Sequence, residues 1–158
     1  MVDIAQTAAE YAERYRSAFE SNALTQGEWH VERDGRQLAC ALGVIGNDVD
    51  GPSKCPASIM PRWLAQMVPG FFDRQKAKDA FPWGVAFTAE LARLDGKVPF
   101  SVIHDWLANA VCQLGIDAAI KQKRDPAPHL ALQALHLRAF GGEKISADEW
   151  KPILRKIG

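Results

Sequence analysis

The chain has no surplus of either charge, no long apolar run and no pairing pattern among its cysteines. Each absence removes a class of protein. Lys plus Arg number 19 and Asp plus Glu number 19, so the formal net charge is zero. Nucleic-acid binders normally carry a basic excess, because neutralised phosphates supply most of their affinity. Nucleic acid is therefore not an expected partner. A nucleic-acid-binding module using Arg62 and the Lys121, Lys123 and Arg124 cluster remains an alternative only through local charge. Zero net charge also weakens self-repulsion, which favours a homo-oligomer near neutral pH. No apolar run is long enough to cross a bilayer, and Met1-Val-Asp-Ile-Ala-Gln-Thr7 lacks the charged start and apolar core of an export signal. The expectation is a cytoplasmic protein without a membrane partner. Cys40, Cys55 and Cys112 are odd in number, widely spaced and outside any CxxC. In a reducing compartment they read as free thiols. HExxH, GxSxG, the P-loop and the dinucleotide fingerprint are all missing, so no cofactor is expected and the case for an enzyme is weak.

What is present is an ordinary globular composition, with 158 residues, 47% hydrophobic and 24% charged. That is enough chain for one domain, 1–158, with a substantial core. Its clearest pattern lies in Ser101 to Leu114. Val102, Ile103, Trp106, Leu107, Ala110, Val111 and Leu114 repeat at the spacing of one helix face. Ser101 stands where an N-cap belongs and Gly115 where a helix stops or bends. A stripe this wide, centred on Trp106, predicts a central helix buried on more than one side, with Cys112 helping to pack it.

The remaining elements follow from caps and breakers. Asp3 is placed to cap a helix reaching about Ser21, and Asn22 to Gly27 reads as a turn. Between Trp29 and Cys40 two patterns compete. Asp34-Gly35 is a favoured hairpin turn, whereas Leu38, Ala41, Leu42 and Ile45 carry helical spacing. We take the second as the expectation: a small extended element near 29–33, then a helix from about Arg36 to Ile45. Asn47 to Pro56 is loop. Pro61 opens a helix to Met67, closed by Pro69-Gly70, and Pro82 opens another over Trp83 to Leu94. Asp125-Pro126 introduces a helix His129 to Phe140, stopped by Gly141-Gly142. Ser146-Ala-Asp-Glu149 is a capping box for a terminal helix that Pro152 should kink. The fold class is all-α, a single compact bundle of six or seven short-to-medium helices.

Three constellations invite chemistry. His104-Asp105 resembles the His-Asp dipeptide of the metal-dependent HD phosphohydrolases, whose sites add an upstream His and a distant Asp. His30 and Asp117 would be nominated for those places. The resemblance implies a metal-dependent phosphohydrolase, and that is the alternative enzyme reading. Adjacent residues on a helix splay about 100° apart, however, so the pair by itself makes no cage. Asp105 also suits a first helical turn for electrostatic reasons alone. His129 and His136 share a helix face but lack the third and fourth ligands that zinc needs, so no metal is expected. Cys55, after Lys54, is the one thiol near a cation, without a surrounding cysteine-hydrolase signature.

Trp29, Trp63, Trp83, Trp106 and Trp150 make the chain tryptophan-rich, and Trp and Arg are over-represented at binding hot spots. Trp29, in polar surroundings, and Trp63, beside Arg62, are the two expected at the surface. The function expected from these residues is non-catalytic binding of another protein, as an inhibitor, immunity or accessory protein of bacterial or phage kind. Trp29, Arg62, Trp63, Lys121, Lys123 and Arg124 are the candidate contact residues.

Overall fold

Thr7, not Asp3, starts the first helix. Its hydroxyl accepts the Glu10 N–H at 3.1 Å, and the Glu10 carboxylate accepts the Gln6 N–H at 2.7 Å, which closes the first turn from both sides. In a computed structural model of the chain, which describes residues 3–157, this helix α1 spans Ala8–Glu20. A hairpin follows, β1 His30–Arg33 and β2 Arg36–Ala39, then 3-10 turns at Gly43–Ile45 and Pro52–Lys54. The helices α2 Arg62–Asp73, α3 Ala77–Arg93, α4 Val102–Trp106, α5 Gln113–Lys121, α6 Ala127–Phe140 and α7 Ala147–Ile157 complete the fold. Leu107–Cys112 is a π-helical segment that joins α4 to α5 in one rod. Counting that rod once, the described residues hold six helices and one small sheet. The all-α expectation with a small extended element is what the chain adopts.

The favoured helix from Arg36 to Ile45 is not there. β1 and β2 pair antiparallel, with His30 opposite Ala39 and Arg33 opposite Arg36. Asp34 and Gly35 take φ of 52° and 72°, the two left-handed positions of a type I′ turn. Turn chemistry overrode helical spacing, and only Gly43–Ile45 keeps a helical turn.

Prolines end fewer helices than expected. α2 runs through Pro69 and α3 begins before Pro82 and runs through it. Apolar burial on both sides explains the tolerance: Val68 and Phe72 flank Pro69, while Ala80 and Gly84 flank Pro82, all of them buried. Side-chain amides then take up the carbonyls at the end of α2. Gln75 Nε2 donates to Phe71 O at 2.7 Å, and Gln26 Nε2 donates to Phe72 O at 2.6 Å. α7 likewise continues through Pro152.

Contacts divide the chain into two compact units, one ending at Val98 and one beginning at Pro99, within the span read from sequence as one domain. The first unit holds the larger core. Tyr11, Tyr15, Ile45, Ile59, Met60, Val68 and Phe72 are wholly enclosed there. α1 and α3 meet closely at Gly84, where an added Cβ would lie 2.1 Å from the Tyr15 ring. The Tyr15 hydroxyl is anchored on the Phe81 carbonyl at 3.1 Å.

In the second unit the rod 102–121 turns a different face inward than its apolar stripe suggests. Ala108, Cys112, Ile116 and Ala119 are buried, whereas Trp106 is 41% and Leu114 70% exposed. The expectation that Trp106 is a core residue is therefore corrected. α6 approaches the rod along its small residues: Gln133 Nε2 reaches the Ala108 carbonyl at 3.0 Å, and the His129 ring abuts Gly115. Close helix packing selected Ala, Cys and Gly for the contact and left the bulky side chains outside.

Candidate functional site

α6 is apolar around most of its circumference, so a polar residue on its inner face must find a partner within the protein. That residue is His136, only 8% exposed. α4 supplies the partner: His104 Nδ1 lies 3.1 Å from His136 Nδ1. One ring donates its N–H and the other accepts with its lone pair, which requires at least one neutral imidazole. Trp150, from the first turns of α7, covers both rings. It lies near-parallel to His104, at 15° and 6.4 Å between centroids, and 4.9 Å from His136. Phe100 meets His104 edge-on at 5.9 Å. Burial holds His136 below the usual histidine value, and the neighbouring His104 lowers it further.

Asp105 takes no part in this cluster, because its carboxylate accepts the Asn109 amide at 2.7 Å. Of the residues nominated beside it, His30 bonds the Val49 carbonyl at 3.0 Å within the first unit. Asp117 accepts from Gln113 at 2.9 Å within the second. His129 rests on Gly115 rather than joining His136. Among the described residues no group of three or more His, Cys, Asp or Glu could hold a metal ion.

The six candidate contact residues fall in both units. Trp29 and Trp63 are half-buried and pack against the first core, and Arg62 is the exposed first residue of α2. Lys121 ends α5, while Lys123 and Arg124 follow it in an exposed turn in which Arg124 donates to the Gln122 side chain. Burial pushes the Cys55 thiol up to about 12, so the basic setting supposed from Lys54 does not act on it. Lys54 instead pairs with Asp50 at 2.8 Å.

An open cleft of about 730 Å³ lies beside α1 and the hairpin, lined in part by Arg14, His30 and Asn47. Its Arg14 and His30 side chains are committed to the chain itself. Arg14 donates to the carbonyls of Asp3 and Ile45, and His30 to that of Val49. These bonds tie the loop from Gly43 to Val49 to α1 and to β1.

The surface of the second unit is different. Twelve large hydrophobic residues are exposed among those described, and all but Phe19 and Leu94 lie between Phe100 and Leu154. Its acids are mostly spent internally. Arg138 binds both Glu143 and Glu149, while Asp125 accepts the Ala127 N–H at 2.9 Å. Lys121, Lys123, Lys144, Lys151, Arg155 and Lys156 form no ion pair among the described residues. Sequence reasoning found the Lys121 to Arg124 part of this surface. It missed the apolar part, because helical spacing reports that a face is apolar and not whether anything covers it.

Compared with known protein families, curated proteins and solved structures, the chain matches none. No helix among the described residues is long and apolar enough to cross a membrane.

Proposed function

We propose that this protein acts by binding another protein through its second unit, and that the partner presents an apolar surface bordered by carboxylates. One observation carries the reading. The apolar side chains left outside the cores are concentrated between Phe100 and Leu154, including Val111, Leu114, Leu130 and Leu137. Exposed apolar residues scattered singly need no explanation, whereas their concentration on one small unit marks an interaction surface. The cations without ion pairs on α5 and α7 supply the polarity of the rim. In this proposal Lys121, Lys123 and Arg124 belong to that rim. An inhibitor or accessory protein of bacterial or phage kind is the narrower form of this proposal.

A photo-reactive amino acid placed at Leu114 or Leu137 tests it in cells of the source organism. The expected result is one dominant adduct with another protein, absent when the probe sits at Glu13 on α1. Placing charge on the patch, with Leu114→Glu and Leu137→Glu together, should abolish the adduct while the circular dichroism spectrum is unchanged. Adducts only with a second copy of the chain would replace this reading with self-assembly. No adduct at either position would end it.

A further inference from the structure

We propose that the His104–His136 pair is an acid-sensitive latch between α4, α6 and α7, closed while at least one imidazole is neutral and open when both are protonated. The geometry sets the rule. Two Nδ1 atoms 3.1 Å apart share a single proton, since one gives an N–H and the other a lone pair. With both rings protonated, two N–H groups point at each other in a half-buried cluster flanked by Trp150 and Phe100. Like charges and facing donors are disfavoured where His136 is shielded from water, so the rings part and α6 and α7 loosen with them.

No nearby charge relieves the conflict. On α6, Arg138 is held by Glu143 and Glu149, and His129 rests on Gly115. On α4, Asp105 bonds Asn109, and the π-helical segment adds only the uncharged thiol of Cys112. On α5, Asp117 bonds Gln113, and Lys121 is exposed at the helix end. On α7, Asp148, Lys151, Arg155 and Lys156 are exposed, and Glu149 is turned to Arg138. The one charge acting on His136 is that of His104, in the direction that disfavours a second proton. Its lowered folded value means the unfolded chain binds the proton more readily. The stabilisation is therefore complete above a pH of about 6.5, and is lost as pH falls through the lowered folded value.

Amide hydrogen exchange on the full chain tests the latch. Protection is corrected for intrinsic exchange and compared at two values, roughly pH 7.5 and pH 5, where carboxylates stay mostly ionised. Between them, protection in α6 and α7 should fall about tenfold more than in α1 and α3. In His104→Gln the differential fall should vanish, because an amide can donate to a neutral His136 and accept from a protonated one. Equal falls in the two halves, or the same differential fall in His104→Gln, overturn the proposal. Imidazole nitrogen shifts of the wild type give a check that needs no variant. At the higher pH one of the two rings must carry its proton on Nδ1, and finding both Nδ1 atoms bare refutes the latch.

Discussion

Tyr11 and Tyr15 show how single groups are held in the first core. Their rings meet edge to face at 6.5 Å, and burial raises both phenols above their usual value. The Tyr11 hydroxyl donates to the Ala41 carbonyl at 2.7 Å, tying α1 to the chain that leaves the hairpin. Tyr11→Phe leaves that buried acceptor without its donor, and a loss of about 1–3 kcal/mol in urea unfolding is expected. Gly84→Ala should cost a similar ~1–3 kcal/mol by overpacking, since the added methyl falls on the Tyr15 ring and the Phe81 carbonyl keeps that ring in place. Gly115→Ala is expected to cost less. The added methyl would lie 2.6 Å from Nδ1 of the half-buried His129 ring, a lesser overlap than the 2.1 Å at Tyr15. Cys55 supplies the chemical counterpart. A thiol raised from 9.0 to about 12 presents on the order of a thousandfold less thiolate at neutral pH. Labelling by a disulfide reagent at pH 7.5 should accordingly be slow in the native protein and rapid after denaturation, with fast native labelling of Cys55 contradicting this.

At the level of elements, what could be read from sequence was what local chemistry decides. The Asp125 cap of α6 and the left-handed Gly142 after it lie where the residues place them, while the Ser146/Glu149 box forms by half, with Glu149 accepting the Ser146 N–H at 3.4 Å. The Asp34-Gly35 turn was visible too, and was set aside for a helical spacing that reflected burial of Ala41, Leu42 and Ile45 in a loop. Gly35→Ala should test how much the hairpin depends on that turn. A side chain at φ 72° costs about 1–2 kcal/mol, and no neighbouring atom adds to it, so the loss should appear as selective loosening of His30 to Ala39 in hydrogen exchange. The prolines were misread because each was weighed against its own helix alone. At Pro69 and Pro82 the local cost, roughly 3 kcal/mol apiece, is set against burial of neighbouring residues that a one-dimensional pattern does not contain; α7 buries nothing around Pro152, and the structure gives no such account of it. The same holds for His104, His136 and Trp150. They come from three elements, and nothing in their spacing brings them together.

For the molecule as a whole, the contrast between the two cores is the controlling fact. The first encloses large aromatic and branched side chains, whereas the second buries Ala108, Cys112, Ile116, Ala119, Leu135 and His136. Apolar area removed from water is the main favourable contribution to stability, at about 25 cal/mol per Å², so the second unit has the smaller share of it. Residue-resolved urea titration should show amides after Pro99 losing protection at lower denaturant than those of α1 and α3. One concerted transition at all residues would contradict this. The π-helical winding at Leu107–Cys112 also sets a rule about chain length. It carries one residue more than a regular helix needs, so losing one residue there is absorbed by a return to regular winding, whereas adding one would rotate Val102–Trp106 by about 100° against Gln113–Lys121. Such an insertion would swing His104 off His136 even though no side chain of the cluster had been altered. In that stretch the sign of a change in count decides the outcome: one residue fewer is taken up by the winding, one more is not.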